Sequence, residues 1–142
     1  MKDIAELIAA VKSADTAVAE PASRELRNVA RVDPMSLSAW RKDLLKLAMS
    51  VEDLRVRWNL IIVLGMLPLT SSQRAVAVDW LFERLRDPGS LTRTHALQAL
   101  VDLSAGDAAL RRRLLPIAQE FAETGTAAMR ARARKLLKQM QG

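Results

Sequence analysis

Cysteine and tyrosine are absent from this 142-residue sequence, histidine occurs once and phenylalanine twice. Without cysteine there is no disulfide framework, no zinc ribbon and no thiol chemistry. A lone histidine, His95, cannot build a common zinc site. Among its helical neighbours only Asp102 offers a polar orienter, and neither Ser90 nor Ser104 stands at a spacing that supports a nucleophile and base. Glycine-rich phosphate loops of the GxGxxG or GxxxxGK[ST] type are missing. Five glycines and five prolines exclude collagen-like and linker sequence. The expectation is a protein that is not an enzyme, with no catalytic residues, no cofactor and no metal.

Long apolar runs are missing too. The most apolar stretch, 58–69, spans twelve residues, contains Asn59 and ends at Pro68-Leu69, whereas a bilayer crossing needs about 20. The N-terminus, Met1-Lys2-Asp3-Ile4-Ala5-Glu6, puts acids where a signal peptide needs a basic segment followed by an apolar one. These features predict a soluble, cytoplasmic protein with no membrane span.

What is present is apolar content of 50%, too high for a disordered chain, and an uneven excess of positive charge. Residues 1–110 hold 14 basic and 14 acidic side chains, and residues 111–142 hold eight basic against Glu120 and Glu123. The formal charge of +6 is therefore a property of the C-terminal quarter.

Apolar residues recur at i, i+3, i+4 between breaks at Asp33-Pro34, Ser71-Ser72, Asp87-Pro88-Gly89-Ser90, Gly106-Asp107 and Gly125-Thr126. Ser, Asp and Thr at such breaks can cap the next helix, and Pro34 suits a first turn. No run alternates with period two, so the chain is predicted to be all-α. The pattern also repeats. Leu45 and Met49 recur 36 residues on as Leu81 and Leu85, and 36 further as Ile117 and Phe121. Leu60, Val63, Leu64 and Leu67 map onto Ala96, Ala99, Leu100 and Leu103, and then onto Ala133, Leu136, Leu137 and Met140. This predicts four helix pairs, 3–12 with 15–32, 34–49 with 52–67, 72–86 with 91–104, and 107–123 with 127–140. Pro21 and Pro116 fall inside two of these helices, where a kink or break is expected.

The second helices carry Val56-Arg57-x-x-Leu60, Thr92-Arg93-x-x-Ala96 and Met129-Arg130-x-x-Ala133, each followed by Val63-Leu64, Ala99-Leu100 or Leu136-Leu137. Asp87-Pro88 precedes the second of them. This pattern resembles the HEAT repeat, a HEAT-like or armadillo-type helical repeat, over residues 34–140; in the first pair Ser23 takes the Arg position. The resemblance implies one repeat domain over 1–142, an α-α superhelix (solenoid) of about four pairs (3–32, 34–67, 72–104 and 107–140), with second helices lining a concave side. Within that picture Arg93 can reach back to Asp87, and Arg57 to Asp53 one turn away. Neighbouring pairs bury stripes that one pair cannot cover alone.

On that side a helical wheel places Trp58 and Ile62, with Arg24 and Asn28 in the first pair, Thr94 and Gln98 in the third, and Ala131 and Lys135 in the fourth. Two readings of Trp58 stand open: an interface anchor beside arginine, or part of a central helix covered all round. Trp40 and Trp80 fall on first helices as packing residues. The last helix carries Arg130, Arg132, Arg134, Lys135 and Lys138, read either as a solubilising cap or as a surface for an anionic partner.

The leading expectation is a non-enzymatic scaffold or adaptor that binds another protein or peptide through Arg24, Asn28, Trp58, Ile62, Thr94, Gln98 and Lys135. The alternative is nucleic-acid binding through the basic C-terminal repeat, with Arg130, Arg132, Arg134 and Lys138. HEAT-like DNA glycosylases of the alkylpurine type use Trp, Arg and an essential Asp. Trp58, Asp102 and several Arg are the only counterparts here, the chain is shorter than that family, and glycosylase activity is not expected. The sequence leaves the oligomeric state open, although Ile4, Leu7 and Ile8 suggest an incompletely covered N-terminal flank.

Overall fold

Aspartate starts four of the helices, and each time the reason is the same: its carboxylate takes a first-turn amide that has no carbonyl partner. Asp3 accepts from the Glu6 amide at 2.8 Å, Asp15 from Ala17 at 3.0 Å, Asp53 from Val56 at 3.1 Å and Asp107 from Leu110 at 3.0 Å. In the computed structural model these open α1 (Ile4–Val11), α2 (Thr16–Val32), α4 (Leu54–Met66) and α7 (Ala108–Thr124). The remaining helices are α3 (Arg41–Ser50), α5 (Ser71–Arg84), α6 (Ser90–Leu103) and α8 (Ala127–Gln141). Thr126 caps α8 through the Met129 amide. At α5 the cap is Thr70, one residue before the expected serines, and Gln73 reciprocates by accepting from the Thr70 amide.

The structure describes residues 3–141; Met1 and Lys2, where the N-terminal reading began, and Gly142 lie outside the described residues. The protein is all-α, with no strand among the described residues. No helix among them is long and apolar enough to cross a membrane.

Three features differ from the sequence reading. The helix expected over 34–49 opens as a 3-10 segment, Pro34–Trp40, and becomes α-helical only at Arg41. Asp33 makes no side-chain cap there; instead its carbonyl takes both the amide and the hydroxyl of Ser36. Pro21 and Pro116 do not break their helices, since α2 and α7 run through them. Both prolines are exposed, so each missing amide falls on the solvent side. The N-terminal flank is covered: Leu7 and Ile8 are buried and Ile4 half-buried, with α1 packed on α2.

The chain divides into two compact units, residues 1–77 and 78–142, with the boundary inside α5. In the first, α1 packs on α2, α3 on α4, and α2 beside α4. In the second, α7 pairs with α8, and α6 packs on both. The repeating second-helix stripe is part of the core, with Leu7, Leu37, Leu44, Leu81 and Leu114 from the other helices. Leu26 and Ala30 on α2, Leu60, Val63 and Leu64 on α4, Ala96, Ala99 and Leu100 on α6, and Ala133 and Leu136 on α8 are all buried. Each fully buried leucine contributes about 1.5–3 kcal/mol relative to exposure. Leu137 is only half-buried.

The turn between α7 and α8 has no room for a side chain at Gly125. A Cβ there would lie 2.7 Å from the Met129 Cβ and 2.8 Å from the Phe121 carbonyl oxygen, neither of which can swing aside. Gly125→Ala is expected to lower unfolding free energy by about 1–3 kcal/mol, measured by urea denaturation followed by circular dichroism.

Candidate partner-binding site

In the first unit the α2 and α4 surfaces are joined by a buried polar contact that fixes which residues stand beside which. Asn59 is buried on α4. Its amide nitrogen donates to the Ser23 hydroxyl at 3.0 Å, and its carbonyl oxygen accepts from Arg27 Nη1 at 2.9 Å. Ser23, itself fully buried, passes its proton to the Glu20 carbonyl at 2.7 Å. A polar side chain in such a place is tolerated because every strong hydrogen-bonding atom of the amide is used.

The bonded residues are chain neighbours of residues singled out in the sequence. Arg24 follows Ser23 and Asn28 follows Arg27 on α2, and Trp58 precedes Asn59 on α4. Ile62 follows Trp58 by one helical turn. Arg24 and Asn28 are exposed, whereas Trp58 and Ile62 are half-buried. The four residues singled out in the first two pairs thus lie on the two helices that this contact joins. Arg24 is held by Glu20 at 2.9 Å. Burial, with the charges of Arg31 and Arg24 added to it, pulls the pKa of Arg27 below the usual arginine value.

The second unit has a matching seam between α6 and α8. Asp102 Oδ1 accepts from Gln98 Nε2 and from Gln139 Nε2, each at 3.0 Å, and Gln98 Oε1 accepts from Arg132 at 3.4 Å. Thr94 is turned inward along its own helix, donating to the Ser90 carbonyl at 2.8 Å. Lys135 is exposed. The four proposed anion-binding residues separate into two groups. Met129, Ala133, Leu136 and Met140 form the buried stripe of α8. Arg130, Arg134 and Lys138, spaced i, i+4, i+8, flank it on one side; Arg132 and Gln139 flank it on the other, where they meet α6.

The signature arginines bond main-chain oxygens: Arg93 reaches back to Asp87 as expected, at its carbonyl, whereas Arg57 takes Val51 in place of Asp53. Arg57 donates Nε and Nη2 to the Val51 carbonyl at 3.2 and 2.8 Å. Arg93 donates Nη1 to the carbonyls of Asp87 and Pro88 at 2.8 and 2.9 Å. The carboxylates are already taken, Asp53 by its cap and Asp87 by the Gly89 amide. Arg130 is exposed.

Two grooves were not foreseen. One, of about 790 Å³, lies in the second unit and is lined by both phenylalanines of the chain, Phe82 and Phe121, with Arg113 stacked 4.2 Å over Phe82. The other, of about 510 Å³, lies in the first unit between the α1–α2 turn and the α3–α4 turn. Their linings correspond at a constant offset of 74 residues: Val11 with Leu85, Lys12 with Arg86, Leu47 with Phe121, Ser50 with Thr124. Only matching the two linings residue by residue exposes that regularity.

No protein-family model matches the chain, and no curated protein matches its sequence.

Burial pushes the Asp102 carboxyl above the ordinary aspartate value of 3.8, outweighing the two amide donors and Arg132. The native state then keeps this proton to higher pH than the unfolded chain, so the site costs stability as pH rises from the ordinary carboxylate range through the raised native value. Asp102→Asn retains an acceptor for both glutamines without the charge. Urea midpoints measured across pH are expected to coincide for variant and parent in acid, and to favour the variant towards neutrality.

Proposed function

We propose that the four helix pairs are HEAT-like repeats forming an α-α superhelix, and that the chain is a non-enzymatic scaffold that binds another protein through its second helices. Three regularities support the repeat reading: burial of the second-helix stripe at a 36-residue spacing, the arginine clamps of Arg57 and Arg93, 36 residues apart, and the two grooves 74 residues apart. The single observation that carries the binding reading is the α2/α4 surface. Half-buried Trp58 and Ile62 on α4 and exposed Arg24 and Asn28 on α2 supply the aromatic anchor and the arginine that suit an interface centre. Asn59 holds that surface in register from beneath.

Trp58→Ala is expected to weaken partner binding by about tenfold or more while leaving the helical circular dichroism and urea midpoint close to those of the parent. Immobilised parent and variant chains, compared by quantitative mass spectrometry of what each retains from its source lysate, check this. Equal retention by both, or an unfolded variant, removes Trp58 from the site.

The alignment of Arg130, Arg134 and Lys138 favours a second reading, nucleic-acid binding through α8. It predicts an affinity for a labelled duplex or single strand that falls steeply as salt is raised from about 50 mM. Absence of an anisotropy change at the low-salt end rejects it.

A further inference from the structure

On the α2/α4 surface, guanidinium groups crowd together with little to balance them. Arg24, Arg27 and Arg31 stand at i, i+3 and i+7 on α2. Glu20 is the acid that offsets them, and it is committed to Arg24 at 2.9 Å. Arg27 is half-buried and pinned by Asn59, with its Nε buried and unpartnered among the described residues. Arg31 is exposed. Across the seam, Arg55 stands one turn before Trp58, adding a further cation beside the apolar pair. Like charges one turn apart on a helix are mutually destabilising, and holding one of them partly out of water raises that cost. The register contact at Asn59 uses Ser23 and, of the three arginines, Arg27 alone, so it gives no reason for Arg24 and Arg31.

We propose that the α2/α4 surface receives an acidic amphipathic helix, whose carboxylates meet Arg24 and Arg31 and whose apolar side chain lies on Trp58 and Ile62. This rests on the reading of that surface as the partner site and names the chemistry of the partner. Arg24 and Arg31 are two turns apart, about 10 Å along the axis. Two glutamates seven residues apart on an incoming helix have the same spacing, and they leave intervening i+3 and i+4 positions to face the tryptophan. A helix laid between two helices is an established mode of recognition, and opposite charge both steers the encounter and sets the register. Arg27, with Nη1 donated to Asn59, positions this row and is not itself the main contact.

The test uses the full-length chain and a panel of fluorescein-labelled amphipathic helical peptides. Each has leucine or phenylalanine on one face and a glutamate pair at i, i+7, moved one residue at a time along the sequence, and each has a control with both glutamates changed to glutamine. At least one acidic peptide is expected to bind about tenfold tighter than its glutamine control at low salt. That advantage is expected to vanish in the Arg24→Gln/Arg31→Gln double variant, whose fold is checked by circular dichroism. Trp58→Ala is expected to weaken an acidic peptide and its control alike. Equal binding of acidic and glutamine peptides overturns the charge assignment while leaving the surface as a partner site. Binding of neither, together with lysate partners that do not depend on Trp58, overturns both. Single-stranded oligonucleotide and anionic vesicles form the remaining arms. If either binds with the same dependence on Arg24 and Arg31 while no acidic peptide does, the proposed partner is wrong.

Discussion

A pair of helices has more apolar surface than it can hide within itself, and that constraint organises this protein. The second helices carry a leucine and alanine stripe that finds cover only when another pair lies alongside, as α2 and α4 do in the first unit and α6 and α8 in the second. Alanine at Ala96, Ala99 and Ala133 lets backbones approach, and leucine at Leu60, Leu100 and Leu136 fills what remains. Away from that stripe the same helices leave Arg24, Asn28 and Lys135 exposed and Trp58 and Ile62 half-buried.

Apolar burial has no preferred register, so something else must fix how one helix slides against the next. Polar contacts beneath the surface do this in both units. Asn59 reaches Ser23 and Arg27 in one, and Asp102 gathers Gln98 and Gln139 in the other. The solutions differ in cost. The amide at Asn59 carries no charge and both its polar ends are matched, whereas Asp102 keeps a carboxyl in a place that resists ionisation. Polar matching of this kind joins the helices at a fixed place: Ser23 and Asn59, the chain neighbours of Arg24 and Trp58, are bonded to each other.

Helix positions were legible in the sequence because capping and periodicity are local. The breaks at Gly106-Asp107 and Gly125-Thr126 fall where the helices end, and the second-helix stripe is buried nearly throughout. Events that depend on three dimensions were not legible. The 3-10 opening at Pro34 arises from Ser36 capturing the Asp33 carbonyl, a competition between local bonds that period counting ignores. Pro21 and Pro116, where a kink or break was expected, leave α2 and α7 unbroken, and both are exposed. The arginine row at positions 24, 27 and 31 was visible as letters, but its meaning depends on Asn59, 32 residues beyond Arg27. Ser23, read as a departure from the arginine signature, is the residue that receives the Asn59 amide.

Arg57 grips one main-chain oxygen at its hairpin tip, and Arg93 grips two, with its other nitrogen on the Met129 sulfur at 3.7 Å. Every amino acid supplies a carbonyl, so what these guanidiniums recognise is indifferent to the identity of Val51 or Asp87. Hairpin tips fastened in this manner are free to drift in composition through evolution while their path stays put, and the rods they join keep their spacing as the surface chemistry between them diversifies.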